Sequence, residues 1–270
     1  MTDTDIYAHQ LCLSNLLREP ALRSAILTLQ LPVGSHGLDA GCGIGLHTVL
    51  LAKAVGPTGH VTGLDLSPRF LTLAREHAKK SGLSAHVSFQ EGDLKDLPFD
   101  TNTFDWAWSV DTVYPGLLDP LAVVEELARV VKPGGIVAIL FWSAQKLLPG
   151  YPLLEARLDA AFAETAPYTR GIQPALHFLR ALGWLRNAGL EELTAHTFAA
   201  DVHSPLSDLI RSALTMTFQM FWGEVNAEVT REDWAEFERL CQPESTDFIL
   251  DRPDYYALLT YSLFQGKVTS

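Results

Sequence analysis

Three glycines at alternate positions, set between a short apolar run and a helical pattern, constrain this chain more than any other feature. The stretch reads Leu38-Asp39-Ala40-Gly41-Cys42-Gly43-Ile44-Gly45-Leu46-His47. Apolar residues lead into an acid, the glycines follow, and Leu46, Val49, Leu50 and Ala54 then fall on one helical face. A strand passing through a glycine turn into a helix lets a ligand approach bare backbone, because no Cβ stands in the way.

The residues downstream extend this unit into a sheet. His60 to Asp65 reads as a second strand ending on an acid, and Ser67-Pro68 opens a helix that runs to about Ser81. Ala85 to Gln90 and Phe104 to Ser109 read as the third and fourth strands. Asp119-Pro120 starts a helix with Leu121, Val124, Leu127 and Val131 at helical spacing, and Ile136 to Phe141 is apolar throughout, as a strand covered on both faces should be. Further on, Pro152 to Thr165, Pro174 to Ala188 and a long stretch opened by Ser204-Pro205 read as helices. Thr230 with Asp233 resembles a capping box. Leu193 to Ala200 and Tyr255 to Leu263 read as sixth and seventh strands, and residues 5 to 30 as two helices broken near Pro20.

The expected architecture is α/β: a doubly wound, mostly parallel, seven-stranded Rossmann-like sheet with helical cap insertions. Residues 1–34 would form N-terminal helices able to act as a lid, and 35–142 the ligand-binding core. Residues 143–270 would hold the cap insertions and the last strands. In such sheets ligands sit outside the carboxyl ends of the strands, where Asp39, Asp65, Asp93 and Ser109 all fall.

Composition narrows the ligand. The chain of 270 residues has a formal charge of −12 and no basic stripe, which argues against a nucleic-acid substrate. Its three cysteines (Cys12, Cys42, Cys241) form neither a metal-ligand spacing nor a disulfide framework, so no metal site is expected. Acids follow Met1 where a signal peptide needs positive charge, and the longest apolar run, Ile136 to Trp142, is far too short to span a bilayer. The expectation is a cytoplasmic protein without membrane insertion; the oligomeric state is not legible.

An acid about 20 residues past the last glycine is placed to accept from a ribose diol, and Asp65 stands there. That residue alone fits two cofactors. A dinucleotide calls for G-x-G-x-x-G, however, and here the third glycine comes one residue early, with Leu46 where the last small residue should be.

Asp39-x-Gly41-x-Gly43-x-Gly45 resembles the first motif of class I S-adenosylmethionine-dependent methyltransferases. Gly63-Leu64-Asp65-Leu66-Ser67, Glu91-Gly92-Asp93-Leu94 and Leu127-Ala128-Arg129-Val130-Val131-Lys132-Pro133-Gly134-Gly135 are similar to that family's later motifs. With Leu97-Pro98-Phe99 and Phe104-Asp105, residues 36 to 142 most resemble the small-molecule branch containing the ubiquinone/menaquinone C-methyltransferases. The resemblance implies S-adenosylmethionine as cofactor and S-adenosylhomocysteine as product. It places Gly41, Gly43 and Gly45 against the methionine part, and Asp39 behind that loop and the methionine ammonium. Asp65 would bind both ribose hydroxyls, with Leu66 on the adenine. Asp93 and the Leu94 N–H would take the adenine edge, and Ser109 the methionine end. A sulfonium cation without phosphate also suits an acidic crevice.

The expected partner is a small-molecule acceptor, apolar or aromatic. If it must lose a proton, Tyr114, Asp111 and His177 are the candidate bases, Tyr114 and His177 foremost. The segment Ser109 to Pro115 lacks the histidines many relatives carry, which speaks against a quinone acceptor. It also lacks the Asn/Asp-Pro-Pro-aromatic motif of enzymes that methylate adenine or amide nitrogens. Two other readings stand beside the enzyme: a non-catalytic S-adenosylmethionine-binding module, and an NAD-dependent dehydrogenase, against which Leu46 counts.

Overall fold

The computed structural model describes residues 3–269. The elements run α1 (Asp3–Leu29), β1 (His36–Ala40), α2 (Leu46–Val55), β2 (His60–Asp65), α3 (Pro68–Lys80), β3 (Val87–Glu91), β4 (Phe104–Val110) and α4 (Pro120–Val130). After them come β5 (Val131–Lys146), α5 (Pro152–Thr165), α6 (Ala181–Asn187), β6 (Glu191–His203), α7 (Asp208–Trp222), α8 (Arg231–Cys241) and β7 (Tyr256–Lys267).

The seven strands form one mixed, mostly parallel sheet in the order β3-β2-β1-β4-β5-β7-β6. β1 pairs in parallel with both β2 and β4, so the order reverses at β1 and opens a crevice beyond its carboxyl end. Local chemistry fixes the helix starts. Ser67 accepts the Phe70 N–H and Asp119 the Leu121 N–H, each followed by proline at the first helical position.

Four sequence expectations are corrected. Residues 5 to 29 lie in one helix, α1, which passes through Pro20; Leu17, Ala21, Leu22, Ala25 and Ile26 are all buried, and that burial outweighs a lost backbone bond. Pro174 to Ala188 is two short 3₁₀ turns followed by α6. His177 adopts an extended ψ of 134° between the turns, and its Nδ1 accepts the Leu179 N–H, competing with the helix. Ser204-Pro205 does not open α7: Ser207 caps it, and the Ser204 hydroxyl donates to the Arg252 carbonyl instead. The last three strands also exceed their apolar runs, because hydrogen bonding continues past the residues that must be buried.

The described residues divide into two compact units. One comprises residues 22–142, 172–198 and the described residues from 261 on. Its core joins Leu38, Ala40 and Leu64 to Val123, Val124 and Leu127 of α4, and to Phe178, Trp184 and Leu185 around α6. No helix lies between β3 and β4. Residues 92–103 cross as a loop, held by Arg129, which donates to the carbonyls of Phe99 (2.8 Å) and Leu97 (3.0 Å) while Glu126 takes the Leu97 N–H.

The other unit comprises residues up to 21, 143–171 and 199–260. Phe218 stacks on Trp222, whose indole N–H donates to Asp159, and Phe237 meets Trp222 edge-on. Buried Glu155 takes the Leu147 N–H at 2.5 Å. The Phe218 and Trp222 aromatics of the second half are therefore core here.

Candidate functional site

The glycine turn leaves β1 with Gly41, Gly43 and Gly45 all at positive φ (77°, 52° and 77°), a conformation that penalises any residue bearing a Cβ. Space is also short. A Cβ on Gly41 would lie 2.6 Å from the Thr112 side chain, and one on Gly45 2.8 Å from Ala74 Cβ. The Leu64 carbonyl accepts both the Gly41 and Cys42 N–H groups, which ties the turn to β2.

Asp65, at the tip of β2, completes that tie. Its Oδ2 accepts the Gly43 N–H at 2.8 Å and its Oδ1 the Ser67 N–H at 2.9 Å. One carboxylate thus holds the centre of the glycine turn and the start of α3. Each oxygen retains lone-pair capacity, and the side chain is only half-buried. Leu66 beside it is 62% exposed.

Asp39 is buried beneath the turn. Its Oδ2 accepts from the Thr48 hydroxyl at 2.6 Å, and its Oδ1 has no hydrogen-bond partner. Burial, with the Asp65 charge adding to it, pushes the carboxyl up to about 7, while the Thr48 hydrogen bond pulls the other way. An unsatisfied oxygen on a buried acid is a costly feature that a polar or cationic ligand would relieve. Thr48, on the first turns of α2, was not singled out in the sequence. Its position nine residues after Asp39, just past the turn, is the signal that could have found it.

Asp93 follows β3, and Gly92 donates to the Asp65 carbonyl at 3.2 Å, so the tips of β2 and β3 adjoin. The Asp93 carboxylate caps its own turn through the Lys95 N–H, and Leu94 is buried. Ser109 lies near the end of β4, where its buried hydroxyl donates to the Ala40 carbonyl at 2.8 Å and fastens β4 to the start of the glycine turn. Asp39, Asp65, Asp93 and Ser109 therefore all lie at or just past the carboxyl ends of β1, β2, β3 and β4.

Tyr114 and His177 come together through Phe178. The Tyr114 ring meets Phe178 at 5.6 Å, and His177 stacks on Phe178 at 4.5 Å. Burial lowers the His177 pKa, and its Nδ1 is committed to the Leu179 N–H. Tyr114 donates to Asp111, which also accepts from Tyr261 of β7. Tyr261 was missed because its partner is 150 residues away.

Among the described residues no group of three or more His, Cys, Asp or Glu side chains is placed to hold a metal ion, and no helix is long and apolar enough to cross a membrane. None of the three cysteines is in a disulfide.

Residues 38–135 match the family described as "Methyltransferase domain". The demethylmenaquinone methyltransferase of Staphylococcus aureus is 39% identical over 123 residues, 46% of this chain and 49% of that protein. The chain thus spans about half the length of the curated relatives it matches. Among solved structures, the YcgJ protein of Bacillus subtilis superposes with a TM-score of 0.58 at 17% identity, covering 93% of this chain and 99% of that one. A SAM dependent methyltransferase from Aquifex aeolicus gives 0.51 at 24% identity, covering 70% and 89%. At such identities these structures speak to the shared fold alone.

Proposed function

We propose that this chain, whose residues 38–135 match the methyltransferase-domain family, is a class I S-adenosylmethionine-dependent methyltransferase that carries a methyl group from S-adenosylmethionine to a small apolar or aromatic metabolite. What carries the reading is Asp39: a buried carboxylate at the foot of a bare glycine turn, with one oxygen paired to Thr48 and the other without a hydrogen-bond partner.

The residues present fit the cofactor. Gly41, Gly43 and Gly45 would take the methionine part against their backbone, with Ser109 fastening the strand beneath, and Asp39 would answer the ammonium charge. Asp65 would use its remaining lone pairs on the ribose diol, and Leu66 would cover the adenine. Asp93 and the Leu94 N–H would take the adenine edge. When bound, the cofactor supplies an electrophilic methyl group on a positively charged sulfur. The protein's share is orientation, which can supply about 7–11 kcal/mol when reacting groups are held in line. Tyr114 and His177 are the groups proposed to face the acceptor.

The test is incubation with methyl-labelled S-adenosylmethionine and a fractionated metabolite extract, with demethylmenaquinone, the acceptor named for the curated relatives, as a separate arm. Label in a small-molecule product supports the enzyme. Cofactor binding with no transfer to any fraction would favour a non-catalytic binding module.

A further inference from the structure

The end of β4 carries a cluster that the cofactor reading does not use. Asp111 stands one residue past the strand with φ at +51°, a left-handed conformation uncommon outside glycine, and its N–H is pinned to the Leu140 carbonyl. Three donors converge on its carboxylate. Oδ1 accepts the Tyr114 hydroxyl at 3.1 Å and the Trp142 N–H at 2.9 Å, and Oδ2 accepts the Tyr261 hydroxyl at 2.5 Å. The Trp142 and Tyr261 rings lie 6.0 Å apart, and Tyr114 packs on Phe141 at 5.2 Å.

The polarity of this arrangement is fixed by proton counting. A phenol has one proton, and Tyr114 gives its proton to Asp111, so what its oxygen offers elsewhere is lone pairs only. Tyr261, fully buried behind the same carboxylate, donates in the same sense. The cluster also adjoins the glycine turn. Thr112, the residue after Asp111, occupies the space in which a Cβ on Gly41 would fall.

We infer that Tyr114, oriented by Asp111, is the acceptor-recognition group, and that it selects metabolites presenting a proton-bearing hydroxyl or amine beside an apolar body. This rests on the methyltransferase reading and deepens it. Tyr114 touches the ligand; Asp111 is a positioning residue, and Tyr261 with the Trp142 N–H fixes the carboxylate. A carbonyl, carboxylate or phosphate in the same place would meet the lone pairs of Tyr114 and the carboxylate behind it, an unfavourable pairing.

The experiment uses the full chain saturated with S-adenosylhomocysteine and measures dissociation constants by ligand-observed NMR for benzyl alcohol, benzylamine, benzaldehyde and benzoate. These share one ring and differ at the head group. The alcohol or the amine should bind about tenfold tighter than the aldehyde and the carboxylate. Tyr114→Phe, which keeps the ring packing, should bring that ratio to within about twofold. Asp111→Asn should weaken benzylamine more than benzyl alcohol, because it withdraws the charge. A wild-type protein that does not discriminate, or a preference that survives Tyr114→Phe, overturns the inference. Failure to bind S-adenosylhomocysteine at all overturns the underlying cofactor reading instead, and calorimetry on the same samples separates the two.

Discussion

The Asp65 carboxylate accepts the backbone N–H of Gly43 at 2.8 Å, so the acid at the tip of β2 is a structural part of the glycine turn that leaves β1. The same side chain takes the Ser67 N–H, which makes it the joint between two strand-to-helix connections. A residue expected only to receive a ribose therefore also shapes the surface on which the methionine part would lie.

Asp65→Ala should weaken S-adenosylmethionine binding by about thirtyfold or more, since the carboxylate proposed to accept from two ribose hydroxyls is removed and the turn loses its central tie. Asp65→Asn, which keeps one acceptor oxygen but adds a donor, should fall between. Calorimetric titration checks both, and wild-type affinity in the alanine variant would remove Asp65 from the site.

Asp39 gives a pH dependence with a definite sign. Its carboxyl sits at about 7 in the folded chain against an ordinary 3.8, so between these values the folded state holds a proton that the unfolded state has released. The contribution of Asp39 to stability is therefore greatest below pH 3.8, declines as pH rises to about 7, and is constant above it. The full loss is about 4 kcal/mol as an upper figure. Denaturant unfolding at pH 5 and pH 8 should show a larger drop for the wild type than for Asp39→Asn, which keeps an acceptor for Thr48. Equal drops would contradict the assignment.

Gly45 and Gly134 have nearly the same φ, +77° and +79°, but a Cβ on Gly45 would lie 2.8 Å from Ala74 Cβ while one on Gly134 meets nothing within 4 Å. Both alanine variants pay the left-handed strain of about 1–2 kcal/mol, and only Gly45→Ala adds a clash with α3. Gly45→Ala should melt lower than Gly134→Ala and bind cofactor more weakly. Equal melting temperatures would show that the turn has room to spare.

Arg129→Lys tests the loop that replaces a helix between β3 and β4. A lysine cannot make the pair of contacts to the Leu97 and Phe99 carbonyls while also holding Glu126. S-adenosylhomocysteine affinity should fall about three- to tenfold, because the loop begins at Asp93 and Leu94, where the adenine is proposed to bind. Unchanged affinity would mean that the loop is held well enough without the guanidinium.

The glycine turn and the three acids were legible because strand ends, turns and caps are local in sequence. Thr48 was passed over, since a threonine inside a helix reads as an ordinary helix residue and only its spacing of nine from Asp39 marks the acid it serves. Tyr261 was invisible for a different reason: only the insertion of β7 between β5 and β6 brings it to Asp111, and that order is not encoded near either residue. Ser109 was correctly placed at a strand end, but its hydroxyl is spent on the Ala40 carbonyl, a choice made by the β1–β4 register. His177 looked helical by spacing because helical spacing does not register a side chain capturing a backbone N–H two residues on.

The tips of β1, β2 and β3 are proposed to form one pocket for a nucleoside carrying a positively charged sulfur. The decisive measurement is calorimetric titration of the full chain with S-adenosylmethionine, repeated in the presence of excess NAD. One site per chain is expected, with a dissociation constant of about micromolar order, unaffected by NAD. No detectable binding, or displacement by NAD, would contradict it.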